Sequence, residues 1–262
     1  MCKPWRVVGV LVVLALVGGA GGRQAQAGSE DRVRTLMRRM DQLYRSESSH
    51  TVMSMEVKTK HYQRALRLEG WTRGRHKSLV VIRAPKKDQG VATLKVDRNI
   101  WSYLPKIDRE TKIPPSMMMG SWMGSHFTND DLVRESSYEE DYTASITFEG
   151  QREGREVIEV TLLPRPNAPV VWGKVIMELT PHNILPLSMT YFDEEGTKTR
   201  IMTFEGVKNM GGRLLPTRMV LIPMDKPEES TVVTYQSAAF DVGVPDELFS
   251  LEGLRKKAGG VR

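Results

Sequence analysis

The sequence predicts a mainly β protein in which one large, curved antiparallel sheet packs around a single long helix, with short helices at its flanks. Two observations lead to this fold class. From Ser29 to Glu47, apolar residues recur at spacings of three and four, the period of an amphipathic helix. After it, the pattern alternates with period two almost to the C-terminus, and turn residues separate the runs. A sheet of so many strands must curl or close, and the helix must bury its stripe against it.

The N-terminus has the features of a secretory signal peptide. Lys3 and Arg6 precede an almost unbroken apolar run over residues 7–17, and Ala25–Ala27 forms a small-x-small cleavage site. The alternative is a membrane anchor, but the run is shorter than the roughly 18 to 20 residues that a span needs. We therefore predict a signal peptide at residues 1–27 and no stable membrane span after its cleavage.

Composition narrows the function classes of the remaining chain. The only cysteine, Cys2, lies in the predicted signal peptide, so the mature chain forms no disulfide and offers no thiolate nucleophile or Cys metal ligand. The net charge is +6, but residues 1–27 carry three bases and no acids, which leaves about +3 for the remainder. Because the remaining bases are scattered through strands without clustered aromatic residues, we predict no nucleic-acid partner.

The predicted helix over residues 29–47 carries one apolar stripe and one charged side. Ser29 is the expected N-cap, and Glu30 and Asp31 are favourable in the first turn of a helix. The stripe consists of Val33, Leu36, Met37, Met40, Leu43 and Tyr44.

Strands of the first half follow from short alternating runs. Met53, Met55 and Val57 share one face of the first run, and Leu66 and Leu68 alternate with charged residues in the second. The strands predicted in this half cover residues 51–58, 66–71, 78–83, 91–96 and 100–104.

A Met-rich stretch, residues 114–132, separates the two groups of strands and fits neither a helix period nor a strand period. Two prolines open it and two glycines break it, so we predict a mobile loop. At its end, Thr128–Asp131 matches a capping box, which predicts a short helix to about Arg134.

The second half returns to alternating runs. Turns are expected at Glu149-Gly150 and Glu153-Gly154, and Pro245–Phe249 is expected to begin a short terminal helix. Residues 256–262 form a basic tail, either a solvated terminus or a segment weakly attracted to an anionic membrane surface. No repeat or linker divides the chain, so we predict one domain over residues 28–255. The strands predicted in this half cover residues 143–148, 156–163, 171–179, 186–192, 197–207, 214–222 and 230–240.

Three phrases, in their order along the chain, resemble the outer-membrane lipoprotein-sorting family, in the branch of LolA-like periplasmic proteins. They are Gly90–Leu94, then Ile100–Pro105 with the pattern W-x-Y-L-P, then Met123–Leu132 with G-S-x-F-x-x-x-D-L. The strand from Pro186 that leads to Phe192–Gly196, and the ending Val244-Pro245 with Phe249, also match. The similarity covers nearly all of residues 29–255.

The resemblance implies an open half β-barrel of about eleven strands, covered by the N-terminal helix and a short helical lid. It also implies a monomeric periplasmic carrier that holds lipid or lipoprotein acyl chains for outer-membrane sorting. The implied partners are an inner-membrane transporter and an outer-membrane acceptor. The alternative is a periplasmic lipid-sensing or protein-interaction module without transport. Motifs do not place the family's cavity arginine, which leaves Arg64, Arg67 and Arg73 as candidates by region.

The Met-rich stretch supplies the main candidates for the ligand site. Methionine is flexible and polarisable, which suits a surface that repacks around an acyl chain. The alternative is that these residues only plug the barrel interior. Trp101 and Tyr103 are two apart and share a face, which either lines the cavity or packs as ordinary core. The predicted cavity or lid residues are Met117, Met118, Met119, Trp122, Met123, Phe127, Trp101, Tyr103, Leu36 and Met40.

Catalytic and metal sites find little support in the sequence. Thioethers suit Cu(I) and His126 is close in sequence, but consecutive methionines converge poorly on one ion. Asp130 and Asp131 are adjacent, so their side chains diverge, and we expect them to cap the short helix. The chain has no motif of a serine hydrolase, a zinc protease, a phosphate loop or a calcium loop. We predict no enzyme, no cofactor and no metal.

Overall fold

The computed structural model describes residues 20–134, 138–168 and 170–259 of the 262-residue chain. The apolar run of the predicted signal peptide and the end of the predicted basic tail lie outside the described residues. Among the helices that are described, none is both long and apolar enough to cross a membrane.

Thirteen antiparallel strands form one open sheet. In chain order they are β1 (Ser48–Lys58), β2 (Gln63–Arg73), β3 (Lys77–Ala84), β4 (Ala92–Val96), β5 (Asn99–Leu104), β6 (Arg109–Lys112), β7 (Tyr142–Arg152), β8 (Arg155–Pro164), β9 (Lys174–Leu179), β10 (Pro186–Phe192), β11 (Lys198–Met210), β12 (Arg213–Pro223) and β13 (Ser230–Phe240).

The sheet consists of two meanders joined by one non-local pairing. Strands β1 to β6 follow one another outward on one side, and β13 to β7 do so on the other. The first and last strands, β1 and β13, pair in the middle, with Met55 opposite Val233. Strands β6 and β7, although next to each other along the chain, therefore form opposite edges of the sheet.

The predicted fold class, mainly β with a single antiparallel sheet, is confirmed, but the sheet has thirteen strands, one more than the twelve ranges predicted from the sequence and two more than the about eleven that the resemblance implies. Strand β6 was missed because its sequence, Arg-Glu-Thr-Lys, carries no apolar alternation. The turn predicted at Glu149-Gly150 was wrong, since both residues lie inside β7. The ladder accommodates this run by a register shift between Ile146 and Phe148.

The long helix α1 spans Ala20–Leu43. It begins before Ser29, which is therefore inside the helix and not its N-cap as predicted, because the backbone of residues 20–28 continues the same helix. It ends four residues before Glu47, where Ser46 adopts a left-handed backbone with φ of 56°. Short helices α2 (Asn129–Arg134) and α3 (Tyr138–Asp141) lie between β6 and β7.

The C-terminal helix is longer than predicted. Residues Asp246–Phe249 form a 3₁₀ turn, and α4 follows over Leu251–Ala258. Ser250 caps α4, because its Oγ accepts a hydrogen bond from the amide of Gly253 at 3.0 Å. Lys256 and Lys257, the first bases of the predicted basic tail, consequently belong to α4.

Each face of the sheet has its own core. On the inner face, Leu36 and Met37 of α1 pack with Met55, Leu68 and Val160 of the strands. On the outer face, the 3₁₀ turn and α4 cover strands β2 to β5. The buried residues of this outer core are Trp71, Leu79, Val81, Ala92, Leu94, Tyr103, Val244, Leu248, Phe249, Leu254 and Ala258.

The connection between β6 and β7, residues 113–141, must cross the whole sheet because its two ends lie at opposite edges. We call it the crossing segment. It passes over the inner face, where Trp122 and Tyr138 join the same core as α1. The crossing segment and α1 together therefore cover the inner face.

Candidate functional site

A cavity of about 210 Å³ lies between α1, the crossing segment and the inner face of the sheet. Ligand pockets for drug-sized molecules usually enclose about 300–1,000 Å³. The cavity is therefore smaller, in this conformation, than the usual pocket for a drug-sized molecule.

Methionine is the commonest apolar residue in the cavity wall. Strand residues reach it because alternate side chains of a strand face one side. Thioether side chains have three rotatable bonds and a polarisable sulfur, so this wall can repack around a guest without a fixed shape. The six lining methionines are Met40, Met53, Met177, Met189, Met202 and Met219.

Aromatic residues close the wall between the methionines. Tyr44, the residue that follows α1, stacks on Tyr235 of β13 with ring centroids 5.2 Å apart. The hydroxyl of Tyr44 donates to the carbonyl of Pro216 at 2.9 Å, which ties α1 to β12. Trp122 and Phe127 contribute from the crossing segment. The aromatic side chains thus join the cover to the sheet.

One buried ion pair, between Arg200 and Asp131, lies in this wall. Besides the tyrosines, the other charged and polar residues that line it are Asp41, Arg45, Ser49, Thr51, Thr72 and Ser78. Arg200 of β11 donates from its two terminal nitrogens to the carboxylate of Asp131 at 2.8 and 2.5 Å. Its guanidinium also lies 4.3 Å from the ring centroid of Trp172 and 4.2 Å from that of Tyr191. Among the described residues, its Nε has no hydrogen-bond partner.

The charge of Arg200 is maintained by this pairing. Burial lowers the pKa of a guanidinium, but the carboxylate of Asp131 outweighs it and raises the pKa of Arg200 above its usual range. Removing one partner of a buried ion pair lowers the free energy of unfolding by about 3–5 kcal/mol. The pair therefore fastens the crossing segment to β11.

The same Asp131 also starts α2. The amide of Thr128 donates to Asp131 Oδ2 at 2.7 Å, and the amide of Asp131 donates to Thr128 Oγ1 at 3.2 Å. This reciprocal pattern is the capping box predicted from the sequence, with Asp in the place of Glu. One carboxylate thus fixes both the fold of the segment and its attachment to the sheet.

Three hydrogen bonds hold the crossing segment over β2 and β4. Trp122 Nε1 donates to Thr93 Oγ1 at 3.0 Å. Arg64 donates to the carbonyl of Met123 at 2.8 Å, and the hydroxyl of Tyr62 donates to the carbonyl of Gly124 at 2.6 Å. Two of the three use backbone carbonyls of the segment.

A fourth attachment centres on His126. Its Nδ1 lies 2.8 Å from Thr231 Oγ1 and its Nε2 lies 3.0 Å from Glu229 Oε2. The amide of Lys60 and then His126 stabilise the charged carboxylate, and they lower the pKa of Glu229. Thr, His and Glu in this order resemble a nucleophile, base and acid, but the side chain of Thr231 is fully buried. The arrangement anchors the segment to β13 and offers no open nucleophile.

The structure brings only part of the predicted site residues to the cavity. Met40, Trp122 and Phe127 line it. Leu36 is buried in the inner core beside it, and Met123 packs against that core.

Three methionines of the predicted lid lie elsewhere. Met117 and Met119 are 55% and 53% exposed, and Met118 is half-buried. They lie on a 3₁₀ turn, Pro115–Met117, and the turn after it. They stand outside the wall of this cavity because the chain turns inward only at Trp122.

Trp101 and Tyr103 share one face of β5, as their spacing predicted, but it is the outer face. Tyr103 is buried under α4, and its hydroxyl donates to Asp108 at 2.8 Å. Burial and this bond raise the pKa of Tyr103. Trp101 packs beside it, 5.6 Å from Lys112 Nζ. The cavity lies on the other side of the sheet.

The arginines suggested by region have different surroundings. Arg64 binds the crossing segment and pairs with Asp88 at 3.1 Å. Arg67 is exposed, and Arg73 donates to the carbonyl of Val244 on the outer face. The buried arginine of the cavity, Arg200, was missed because the sequence around it, Thr-Arg-Ile-Met, reads as an ordinary alternating strand.

Within the part of the chain that the structure describes, no three His, Cys, Asp or Glu side chains are grouped to hold a metal ion. His126, the residue considered for Cu(I), is engaged by Thr231 and Glu229.

A family model described as an uncharacterized protein matches residues 74–256 of the chain. No curated protein matches it by sequence.

Solved structures with the same fold cover most of the chain. A DUF1329 family protein from Desulfovibrio piger is 19% identical with a TM-score of 0.76, and the match covers 86% of this chain and 99% of that one. A LolA superfamily protein from Nitrosomonas europaea is 18% identical with a TM-score of 0.71, over 84% and 98%. A domain assigned as an outer membrane lipoprotein-sorting protein, from Vibrio parahaemolyticus, is 19% identical with a TM-score of 0.73, over 86% and 99%. The LolA-like fold inferred from the sequence is thus confirmed.

Proposed function

The chain belongs to the uncharacterized-protein family whose model it matches and has a LolA-like fold, and from this premise we propose that it is a periplasmic carrier of lipid or lipoprotein acyl chains. The observation that carries the proposal is the methionine-rich cavity beneath a crossing segment that is attached at separate points. The predicted signal peptide supports the compartment, and the printed description of the Vibrio structure supports the cargo class.

Burial supplies the affinity in this proposal. Each CH₂ removed from water contributes about 0.8 kcal/mol, so even half of one acyl chain is held firmly. Cargo contacts Met40, Trp122 and Phe127 together with the methionines of the sheet. Because the closed cavity encloses only about 210 Å³, the cover opens when a whole chain enters. The elements that move are α1 and the crossing segment, because side-chain contacts attach both of them to the sheet.

The exposed methionines take a different role in the proposal. Met117 and Met119 are exposed on the crossing segment and meet a partner or the emerging part of the cargo, while the acyl chain itself lies inside. The carrier works without catalysis, and its donor and acceptor are an inner-membrane transporter and an outer-membrane acceptor. It acts as a monomer.

A second candidate is a lipid sensor that uses the same cavity and signals through the crossing segment. The observation that favours it is the specificity of the attachments, since a ligand that displaces Asp131 from Arg200 also releases the cap of α2. Such a local change can be read by another protein.

Transfer distinguishes the two functions. The chain is loaded with a pyrene-labelled fatty acid or phospholipid and mixed with acceptor vesicles that are free of label. A carrier delivers the label with a rate that rises with vesicle concentration. A sensor retains the label at every vesicle concentration, which would contradict the carrier proposal while leaving the cavity intact.

A further inference from the structure

One corner of the molecule carries basic and apolar side chains on the same surface. It is formed by the turn after β3 (residues 85–91), the loop after β5 (residues 105–108) and the C-terminal end of α4. Leu104 is 43% exposed and Ile107 is 62% exposed at its tip. We call this surface the basic corner. Its exposed bases are Lys86, Lys87, Lys106, Arg109, Lys256 and Lys257.

The three pieces of the basic corner are in contact. At Gly90, an added Cβ would lie 3.1 Å from Pro105 Cγ and 2.5 Å from the carbonyl oxygen of Ala258. Arg83, at the end of β3, donates to the carbonyl of Lys257 at 2.9 Å. The bases and the two apolar side chains are therefore parts of one surface.

The acids of the basic corner are already engaged. Asp88 pairs with Arg64 at 3.1 Å, and Asp108 accepts the hydroxyl of Tyr103 at 2.8 Å. Glu110 pairs with Arg255, and this pairing lowers the pKa of Glu110. Among the described residues, no ion pair involves Lys86, Lys87 or Lys106. The corner thus presents net positive charge to its surroundings.

Charge is distributed unevenly along this end of the sheet. Because Lys58 pairs with Ser230, the turns after β1, β3 and β5 lie at the same end as those after β10 and β12. The turn after β10 carries Asp193, Glu194 and Glu195. The turn after β12 carries three acids, Asp225, Glu228 and Glu229, and one base, Lys226. An anionic surface attracts one half of this end and repels the other, so it orients the molecule.

We propose that the basic corner docks the protein on an anionic lipid bilayer, with Leu104 and Ile107 inserted at the interface and the lysines against the head groups. Basic residues close to an anionic membrane add attraction, and buried apolar side chains add to it. The proposal rests on this surface and does not require an occupied cavity.

The basic corner lies next to one of the attachments that hold the crossing segment over the cavity. Arg64 joins Asp88 of the corner to the carbonyl of Met123 in the crossing segment. A membrane that engages Lys86 and Lys87 therefore acts next to an attachment of the cover. This consequence, unlike the docking itself, rests on the proposed carrier function: cargo is transferred where the cover meets the bilayer.

The test is cosedimentation of the exported full-length protein with vesicles of phosphatidylcholine containing about one third phosphatidylglycerol, against pure phosphatidylcholine. We expect binding to the anionic vesicles that weakens with salt. Ile107→Asp, and separately Lys86→Glu with Lys106→Glu, should each weaken it about tenfold. The matched controls are Leu163→Asp, at a residue 50% exposed on β8, and Lys198→Glu with Lys208→Glu. These controls introduce the same kinds of charge change outside the basic corner.

Three outcomes would overturn the proposal. One is the absence of wild-type binding to anionic vesicles. Another is an equal loss in the corner variants and the controls, which would indicate a non-specific charge effect. The third is binding only to membranes that contain protein, which would identify a protein partner. A variant with a blocked cavity, Val80→Phe, should bind vesicles like the wild type, so failure of docking and failure of the cavity are distinguishable.

Discussion

At the scale of single residues, Arg200 and Asp131 matter most to the site. Arg200 is 5% exposed and stands in a wall of methionine and aromatic side chains. Asp131 neutralises it, caps α2 and holds the crossing segment. A residue with three such roles is costly to change even though it lies on a short helix.

Replacing Asp131 with Asn should lower the free energy of unfolding by about 3 kcal/mol, because the buried guanidinium loses its counter-charge. Asn can still accept the hydrogen bond from the amide of Thr128, so the cap remains. The measurement is urea unfolding. Adding Arg200→Met to Asp131→Asn should recover part of the loss, since the unpaired charge is then removed as well.

The control is Glu205→Gln, which breaks the exposed pair of Glu205 with Arg218. Exposed pairs of this kind contribute about 0–1 kcal/mol. Equal costs for Asp131→Asn and Glu205→Gln would contradict the role of Asp131 as a buried anchor.

The role of a residue was predictable from the sequence where that role depends on its neighbours along the chain. The capping box at Thr128–Asp131 depends on four adjacent residues and was read correctly. The cavity role of Arg200 depends on a partner 69 residues away along the chain, and no local pattern contains that information. The cavity role of the strand methionines was likewise not predictable. Alternation shows that they share one face of the sheet, but it does not show which element covers that face.

At the scale of elements, the crossing segment is the part that distinguishes this sheet from a simple meander. Its sequence, with paired prolines, glycines and a short capped helix, correctly predicts irregular structure. Its path was not predictable, since it follows from the pairing of β1 with β13 at the opposite ends of the sequence. The inward turn at Trp122 and the exposed position of Met117 follow from that path.

Acid should loosen the crossing segment through Glu229. The pKa of this carboxyl is lowered below its ordinary value of 4.5 in the folded protein. Its ionised form therefore stabilises the fold at neutral pH, and this contribution is lost as the pH falls through the lowered value. The groups that face it are His126, Lys60 and Lys226.

Hydrogen exchange checks this prediction. Peptides covering residues 122–132 should lose protection at about pH 4 relative to pH 7, after correction for intrinsic rates. Glu229→Gln should reduce the difference. Glu156→Gln, which removes an exposed partner of His182, serves as the control and should leave the difference unchanged. Equal acid sensitivity in Glu229→Gln and the wild type would exclude Glu229 as the acid-sensitive anchor.

At the scale of the whole molecule, the two meanders, α1 and the crossing segment together enclose one cavity. The sequence predicted the mainly β class and the helix that packs inside, because period and composition determine both. It gave too few strands, since β6 lacks an apolar pattern, and it placed Trp101 and Tyr103 at the cavity although α4 covers their face. The predicted terminal helix was too short to reveal that second core.

A carrier function requires that the cavity binds a lipid or lipoprotein acyl chain. Its wall is rich in adaptable methionine side chains, its cover is attached at separable points, and its volume is small when closed. The solved structures that share this fold are 18–19% identical to the chain, so the cargo of this chain has to be established on the chain itself.

The most direct measurement is native mass spectrometry of the protein purified without detergent from a periplasmic fraction, with an organic extract analysed beside it. Three forms are compared: wild type, Val80→Phe to fill the cavity, and Met117→Asp with Met119→Asp on the surface. We predict a bound acyl-lipid mass in the wild type and in the surface variant, and its loss in folded Val80→Phe. A wild type without bound lipid, or the same lipid retained by Val80→Phe, would contradict an acyl cavity at this site.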